Sequence, residues 1–445
     1  MQQDIIRKYA APVPRYTSYP TAPHFSPRVD ARTYGRWLDE LPEGIPLSLY
    51  VHVPYCTKLC WYCGCNTKAT RRYAPVANYV DALKREIMMV AARVPQRHSV
   101  AHMHWGGGSP NILSAYDIRD LAAQLRQNFN CDRDMELAVE IDPRDFDAPR
   151  ADALHDAGVT RISLGVQDFR EDVQNAIGRL QSFDDTARVI DAFRSRGIAS
   201  INIDLVYGLP LQTVESVDET IGKVITLSPD RVAIFGYAHL PERLRHQRLI
   251  DTKALPDAVM RFAQAGRMAE RLVDAGYVRV GLDHYAKPGD SLATGAVSRN
   301  FQGYTSDDVE TLIGLGASAI GQFPQGFVQN VTGAGDYARR IAEGELATAR
   351  GFELTEEDKA RGWVIRELMC TMRFSHAKLR EKFGTRADHL IEVAHEVIAD
   401  DTDNLIEPEA DGFRVRDEGR TFLRSICARF DAYLPRSAAR HATGV

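Results

Sequence analysis

The sequence has no uninterrupted apolar run of the roughly 18 residues that a membrane-spanning helix requires. The N-terminal segment MQQDIIRKYAAPVPRYTSYPT also lacks the apolar core of a secretory signal. We therefore expect a cytoplasmic protein that has no membrane partner.

Positive charge is not in excess, since 55 Lys and Arg residues stand against 60 Asp and Glu residues and the formal net charge is −5. Binding to nucleic acid through phosphate contacts needs a basic surface, so we expect no nucleic-acid partner. The 445 residues are enough for two or three domains with a large core. Nothing in the sequence requires a second copy, and we expect a monomer.

Cysteine is scarce and its spacing does not suggest disulfide pairs. The chain has seven cysteines, an odd number, which argues against a disulfide framework and favours a reducing compartment. Four of them fall within ten residues, in the segment VPYCTKLCWYCGC: Cys56, Cys60, Cys63 and Cys65. Clustered thiols in a reducing compartment more often hold a metal ion or an iron–sulfur cluster.

Three types of site compete for this cysteine cluster. A structural zinc site prefers two ligand pairs, and no second C-x-x-C or His pair is present. An electron-carrying ferredoxin needs four ligands per cluster, and Cys65 can be the fourth only if the C-G-C turn brings both of its sulfurs to one cluster. The C-x3-C-x2-C spacing of the first three cysteines favours a [4Fe–4S] cluster with one iron open to a small molecule, namely S-adenosylmethionine.

The chain around the cluster alternates strand and helix patterns. Helical patterns occupy residues 77–94, 117–129, 185–197 and 217–227. Six apolar, β-rich runs precede or separate them, at residues 46–54, 100–105, 136–142, 161–166, 201–207 and 231–237. Strands joined by helical crossovers form a parallel sheet, and ligands bind at the carboxyl ends of its strands. We predict an α/β fold, a partial (open) TIM-type barrel of about six βα units over residues 45–285.

Polar or glycine-rich motifs lie on these strands or directly after them. They are WGGGSP (105–110), VEID (139–142), GVQDF (165–169), NID (202–204) and YAH (237–239). Consecutive glycines let the backbone approach a ligand closely and expose N–H groups. Carboxylates that point into a barrel are costly unless they bind something, such as ribose hydroxyls or the surroundings of a sulfonium.

Eight motifs together resemble the oxygen-independent coproporphyrinogen III oxidases (dehydrogenases) of the radical S-adenosylmethionine superfamily. They are PRYTSYPTA, YVHVPYCTKLCWYCGC, HWGGGSP, VEIDPRD, LGVQDF, NIDLVYGLP, YAHLP and RNFQGYT. The resemblance runs from about residue 10 to the last helical segment. The C-G-C ending and the N-terminal PRYTSYPTA make it specific to this family.

The resemblance implies that Cys56, Cys60 and Cys63 ligate a [4Fe–4S] cluster and that Cys65 does not. It also implies two molecules of S-adenosylmethionine in one site. The family's contact positions fall here on Tyr50, Tyr62, Gly107, Gly108, Ser109, Glu140, Gln167, Arg179, Asp204, Ala238 and Ile320.

By the same resemblance, the reaction is the anaerobic oxidative decarboxylation of two propionates of coproporphyrinogen III to vinyl groups, which gives protoporphyrinogen IX. The 5′-deoxyadenosyl radical from S-adenosylmethionine is the oxidant, and the electron donor is a low-potential protein such as flavodoxin or ferredoxin. Because the substrate carries four carboxylates, cationic contacts are expected. Candidates are Arg15, Lys68, Arg71, Arg72 and Arg299.

The remaining segments give an N-terminal arm (1–44), a connecting or lid segment that completes the cofactor site (286–350) and a C-terminal helical domain (351–445). Two helical patterns and a hairpin in the last segment resemble a winged helix. Its hairpin is acidic to neutral, so we expect a structural or substrate-covering role. The alternative functions are a related haem-binding or haem-delivery protein and another tetrapyrrole-directed radical enzyme.

Overall fold

The computed structural model describes residues 2–94 and 98–434. The N-terminal arm contains the helices α1 (Gln2–Tyr9) and α2 (Ala31–Asp39). The strands up to residue 236 are β1 (Leu47–Val53), β2 (Tyr55–Cys56), β3 (Lys68–Ala69), β4 (Ser99–Gly107), β5 (Asn130–Ile141), β6 (Arg161–Gln167), β7 (Ser200–Tyr207) and β8 (Arg231–Gly236). The helices between them are α3 (Ala74–Ala91), α4 (Ala115–Asn128), α5 (Ala148–Asp156), α6 (Glu171–Ala176), α7 (Phe183–Arg194) and α8 (Val214–Leu227).

The second half of the chain is richer in short strands. Its strands are β9 (Val278–Val280), β10 (His284–Ala286), β11 (Ser298–Asn300), β12 (Gly303–Thr305), β13 (Thr311–Leu315), β14 (Ile320–Phe323), β15 (Gly326–Asn330), β16 (Thr348–Glu353), β17 (Arg373–Ser375), β18 (Ile406–Glu409) and β19 (Gly412–Val415). Its helices are α9 (Ala258–Asp274), α10 (Ser291–Thr294), α11 (Ala334–Ala342), α12 (Glu356–Thr371), α13 (His376–Phe383), α14 (Asp388–Ala399) and α15 (Leu423–Cys427).

A twelve-stranded sheet organises the molecule in the order β16-β15-β14-β13-β1-β4-β5-β6-β7-β8-β10-β9. The six predicted strands are β1 and β4 to β8, and neighbours among them pair in parallel. The predicted α/β fold with an open barrel is therefore confirmed. A seventh parallel strand, β13, was not predicted; it pairs with β1, and the strands beyond it are antiparallel.

The period-two pattern of the barrel strands separates the core from the interior of the barrel. In β1, Leu47, Leu49, Val51 and Val53 are buried in the main core together with residues of α3. The intervening residues Ser48, Tyr50 and His52 share the opposite face. The other parallel strands repeat this arrangement, and polar side chains thereby collect inside the barrel.

The segment between residues 286 and 350, expected to be a connection or lid, contains part of the large sheet. Strands β13, β14 and β15 lie within it, and only the hairpin β11–β12 stands apart from the sheet. The buried Glu86 of α3 ties this region to the barrel, because its carboxylate accepts from Gly316 N, Asn330 Nδ2 and Tyr337 Oη at 2.6–2.7 Å.

The C-terminal part has its own apolar core, around α12, α14 and the sheet β17-β19-β18. Helices followed by a β-hairpin agree with the expected winged-helix resemblance, and β17 and α13 are additional elements. Ile6, Tyr16 and Tyr19 of the N-terminal arm are buried in this same core. Tyr16 Oη donates to Asp431 Oδ2 at 3.1 Å, so the N-terminal arm contacts the C-terminal part here. Among the described residues, no helix combines the length and apolarity needed to cross a bilayer.

Candidate functional site

A cavity of about 640 Å³ opens where the parallel strands end. The cysteine segment forms one wall, and the ends of β4 to β8 form the other. Eleven of the fourteen predicted site residues line it: Cys56, Cys60, Tyr62, Cys63, Gly107, Gly108, Glu140, Gln167, Arg179, Asp204 and Ala238. The parallel sheet thus brings together residues as far apart in the sequence as Cys56 and Ala238, which are separated by 182 positions.

The cysteine segment is held mainly through its backbone. Trp61 N donates to Ile177 O at 2.9 Å. The carbonyl of Tyr62 accepts from Gln247 Nε2 at 3.0 Å, and the carbonyl of Cys63 lies 2.7 Å from His246 Nε2. Gln247 also donates to Ala238 O at 3.1 Å, which couples the cysteine loop to the end of β8. The contacts of His246 and Gln247 come from the 3-10 turn Arg245–Leu249, which the sequence did not mark as functional.

Two arginines approach the sulfur of Cys60. Arg144 Nη2 lies 3.3 Å and Arg179 Nη1 lies 3.4 Å from Cys60 Sγ. Asp142 holds both guanidinium groups, with Oδ2 at 2.6 Å from Arg144 and 3.3 Å from Arg179. Burial opposes ionisation of Asp142, but Arg179 and Arg144 lower its pKa to about 2. Asp142 thus holds two guanidinium donors beside the sulfur of Cys60.

The other thiols of the segment lie in different environments. Burial raises the pKa of Cys56 to about 12, and its sulfur lies 3.2 Å from Thr67 Oγ1. The pKa of Cys63 is lowered to about 7, chiefly by a hydrogen bond from the thiol of Cys65. Cys65 N also lies 3.4 Å from Cys63 Sγ. Cys65 therefore contacts the sulfur of Cys63 through both its thiol and its backbone N–H.

The glycine motif is shaped by close contacts. Gly107 has φ +110°, and a Cβ at this position would lie 2.5 Å from His52 Cε1. A Cβ on Gly106 would lie 2.6 Å from Glu140 Oε1. The expectation of exposed N–H donors is wrong here, because Gly107 N donates to Glu140 Oε2 and Gly108 N to Val53 O. The motif therefore provides space for a ligand and fixes Glu140.

Glu140 belongs to a network on the inner face of the barrel. Its Oε1 lies 3.1 Å from His104 Nε2, and its Oε2 accepts from Gly107 N at 3.1 Å. Burial opposes ionisation, but these partners lower the pKa of Glu140. Tyr50 does not line the cavity; its ring stacks on His104, and its hydroxyl lies 3.0 Å from His52 Nδ1. Tyr50 thus supports the histidines behind Glu140.

Asp204, on β7, is a second half-buried carboxylate. Ser163 Oγ donates to its Oδ2 at 2.9 Å, and Asn202 Nδ2 donates to its Oδ1 at 2.8 Å. Burial raises the pKa of Asp204. Gln167, at the end of β6, has φ +71°, and this turn directs the chain away from the strand at the edge of the cavity.

Like Tyr50, two further predicted residues do not line the cavity. Ser109 is buried behind it and donates to Asn111 Oδ1 at 2.5 Å, and Asn111 in turn donates to Asp142 O at 3.0 Å. Ile320, on β14, packs in a cluster with Phe25 and Phe327.

Sequence reasoning missed Arg144 as a residue of the cavity wall, although it stands inside the quoted motif VEIDPRD. The pattern that could have identified Arg144 is the Asp-Pro-Arg sequence at the end of a strand. Of the candidate cationic residues, Arg15 lines the cavity and Arg299 lines an adjoining one, whereas Lys68, Arg71 and Arg72 line neither.

The donor set suits a multinuclear cluster better than a single ion. In the described ranges, no three His, Cys, Asp or Glu side chains are placed to hold one metal ion. A [4Fe–4S] cluster instead binds each cysteine through a different iron, so its ligands need not converge on one point. Three thiols around one cavity, with two arginines beside one of them, fit that requirement.

Comparisons with known proteins agree with this geometry. The family model of the radical SAM superfamily matches residues 50–224. The oxygen-independent coproporphyrinogen III oxidase of Bradyrhizobium diazoefficiens is 45% identical over 100% of both chains, and that of Pseudomonas aeruginosa is 40% identical over 97% of this chain and 96% of its own. The structure of coproporphyrinogen III oxidase from Escherichia coli, a radical SAM enzyme, is 37% identical, with a TM-score of 0.90 over 94% of this chain and 97% of that one.

Proposed function

The chain belongs to the oxygen-independent coproporphyrinogen III oxidases of the radical SAM superfamily, and we propose that the cavity at the strand ends is its active site. The enzyme is an oxidoreductase of porphyrin and haem biosynthesis that decarboxylates two propionates of coproporphyrinogen III to give protoporphyrinogen IX. The observation that carries the assignment of the site is the position of Cys56, Cys60 and Cys63 on one wall, opposite the carboxylates of the strand ends.

Membership of the superfamily implies a [4Fe–4S] cluster and S-adenosylmethionine. When bound, they supply the electron transfer and the 5′-deoxyadenosyl radical that oxidises the substrate. We assign Cys56, Cys60 and Cys63 as the cluster ligands. Arg144 and Arg179 stabilise the ligand charge at Cys60, since both guanidinium groups lie within 3.4 Å of its sulfur.

The cavity residues bind and orient S-adenosylmethionine in this proposal. Glu140 and Asp204 present carboxylate oxygens to hydroxyl or ammonium groups, and their hydrogen-bonded neighbours fix the two side chains. The glycines at 107 and 108 leave room for the ligand. Tyr62, Gln167, Arg179 and Ala238 complete the walls. We propose two molecules of S-adenosylmethionine per chain, because two propionates are oxidised.

We propose that three residues act on the cofactor only indirectly, by supporting residues that line the cavity: Tyr50, Ser109 and Ile320. Tyr50 reaches the cavity only through His52 and His104, and Ser109 only through Asn111 and Asp142. Ile320 packs between aromatic side chains behind the barrel edge. Substitution of these three residues should therefore weaken cofactor binding less than substitution of Glu140.

The protein must also keep water away from a reactive radical. We propose that the N-terminal arm helps to close the barrel mouth, since Arg15 Nη2 donates to Gly236 O at the end of β8 with a distance of 2.7 Å. We further propose a monomer in a reducing cytoplasm, supported by seven free cysteines and an oxygen-sensitive type of cluster. A flavodoxin or ferredoxin would supply the electrons.

The test is anaerobic incubation of the cluster-reconstituted protein with coproporphyrinogen III, S-adenosylmethionine and a reductant. We expect protoporphyrinogen IX, detected as protoporphyrin after oxidation, and two carbon dioxide molecules for each substrate consumed. Cleavage of S-adenosylmethionine without any decarboxylated porphyrinogen would contradict the assignment and favour a haem-delivery relative or another tetrapyrrole-directed enzyme.

A further inference from the structure

A second cavity, of about 330 Å³, adjoins the first. The two share Arg15, Phe235 and Gly236 as lining residues. The second cavity lies between the N-terminal arm, the end of β8, helix α9 and residues 417–424 of the C-terminal part. A ligand that enters the barrel mouth can therefore extend from one cavity into the other.

Arginine dominates the lining of this second cavity, which we name the arginine pocket. Six arginines face four carboxylates there, so the pocket carries an excess of positive charge. The arginines are Arg15, Arg261, Arg279, Arg299, Arg420 and Arg424. The carboxylates are Glu270, Asp283, Asp417 and Glu418.

Arg299 shows that this charge is incompletely matched. Its Nε and Nη2 make long contacts of 3.4 Å to the carbonyls of Tyr16 and Arg15. Its guanidinium lies 4.5 Å from the centre of the Tyr304 ring. Its Nη1 is buried and has no hydrogen-bond partner among the described residues, and the same holds for Nε of Arg279 and Arg420. Buried donors of this kind are stabilised when an anion enters.

The pKa shifts of the pocket arginines also indicate that the pocket favours a bound anion. Burial and the charge of Arg15 lower the pKa of Arg261. Burial, with Arg15 and Arg261 nearby, lowers the pKa of Arg424 as well. Asp283 interacts with His284 at 2.8 Å and offsets part of the positive charge of Arg299 and Arg424. Like charges brought together in a buried space favour a bound counter-anion.

We propose that the arginine pocket binds the propionate carboxylates of the tetrapyrrole that do not undergo decarboxylation. Coproporphyrinogen III has four propionates and two react, so two remain charged throughout the reaction. Guanidinium groups bind carboxylates through paired N–H donors and hold a planar geometry. Anchoring the unreactive side of the macrocycle here places its other side in the first cavity. This inference rests on the proposed function.

The test measures binding of coproporphyrin III, the air-stable oxidised analogue of the substrate, by fluorescence titration of the cluster-reconstituted protein. Arg261→Gln changes the part of the pocket formed by α9, and Arg420→Gln changes the part formed by the C-terminal residues. We expect each to weaken binding about ten- to a hundredfold, as for the loss of a hydrogen-bonded charge pair. Arg261→Lys should lose less, because it keeps the charge but not the paired donors.

A matched control separates this effect from net charge. Arg188, an exposed residue of α7, lines neither cavity, and Arg188→Gln should leave the affinity for coproporphyrin III unchanged. The tetramethyl ester of coproporphyrin should bind wild type and both pocket variants alike. Circular dichroism and cluster absorbance verify that every variant is folded and loaded.

Unchanged affinity of both glutamine variants for coproporphyrin III, in a wild type that converts coproporphyrinogen, would overturn the inference and leave the proposed function intact. Weaker binding of S-adenosylmethionine with unchanged porphyrin binding would also overturn it, since the carboxylate would then belong to the cofactor. A wild type that binds no coproporphyrin III and forms no product would overturn both.

Discussion

Replacing Gly107 by alanine tests the geometry of the cavity wall. The new Cβ would lie 2.5 Å from His52 Cε1, and the residue would keep a φ of +110°. His52 has little freedom to withdraw, because its Nδ1 lies 3.0 Å from Tyr50 Oη and its Nε2 lies 3.0 Å from Asn66 O. Backbone strain of about 1–2 kcal/mol and overpacking of about 1–3 kcal/mol together predict a loss of about 2–5 kcal/mol.

Two matched alanine substitutions separate these contributions. Gly197 has φ +83° with no atom within 4 Å of the added Cβ, so Gly197→Ala should cost only about 1–2 kcal/mol of strain. Gly106 has no left-handed backbone, but its Cβ would lie 2.6 Å from Glu140 Oε1. Gly106→Ala should displace that carboxylate and weaken binding of S-adenosylmethionine about tenfold or more.

The free energy of unfolding is measured by urea denaturation of the cluster-free variants, and affinity by equilibrium dialysis of the reconstituted ones. All three glycines belong to the barrel, so one transition reports on them. Gly197→Ala should bind S-adenosylmethionine like wild type. The reasoning is refuted if Gly107→Ala destabilises the barrel no more than Gly197→Ala, or if Gly106→Ala retains full affinity.

Three further outcomes are expected. Cys56→Ala should abolish the absorbance of the reconstituted cluster whereas Cys65→Ser keeps it, and loss of the absorbance in both variants would show that the ligand assignment is wrong. Arg144→Leu should make the cluster's reduction potential more negative, because a cation beside Cys60 Sγ is removed. A redox titration followed by electron paramagnetic resonance measures this potential. An unchanged midpoint potential would contradict the proposed effect of Arg144 on the cluster. Burial raises the pKa of Glu86 from 4.5 to about 7, so the folded state holds this proton more tightly than the unfolded state. As the pH rises from 4.5 to 7.5, the free energy of unfolding of the wild type should fall by up to about 3 kcal/mol relative to that of Glu86→Gln. Urea denaturation measures both free energies, and the same difference between the two proteins at both pH values would disprove this.

The barrel could be predicted because its strands either are apolar on both faces or alternate strictly between apolar and polar residues. Long apolar runs such as LSLYVHV and INIDLVY have few alternatives to a parallel strand between helices. Strand β13 escaped prediction because TLIGL is short and continues into a glycine- and alanine-rich stretch that resembles a loop. Its place beside β1 depends on contacts with residues distant in the sequence, such as the hydrogen bond from Gly316 N to the carboxylate of Glu86.

The site was predictable where a motif ends a strand. The sequence pattern places Glu140, Gln167 and Ala238 at strand ends and Asp204 on the face of a strand, and the family resemblance adds Arg179. Supporting contacts could not be predicted in this way. Gln247 reaches the cysteine loop from a distant turn, and the arginine pocket takes its walls from both ends of the chain.

The shared core of the N-terminal arm and the C-terminal part has a consequence for biosynthesis of the enzyme. Arg15 precedes Arg424 by 409 positions in the sequence, yet both line the same pocket. Every strand of the twelve-stranded sheet ends before residue 354, whereas the arginine pocket also needs residues 417–424. A growing chain therefore contains the cysteines of the cluster cavity and the strands around it before it contains Arg420 and Arg424. The proposed site for the macrocycle is thus completed later in synthesis than the proposed site for the cluster.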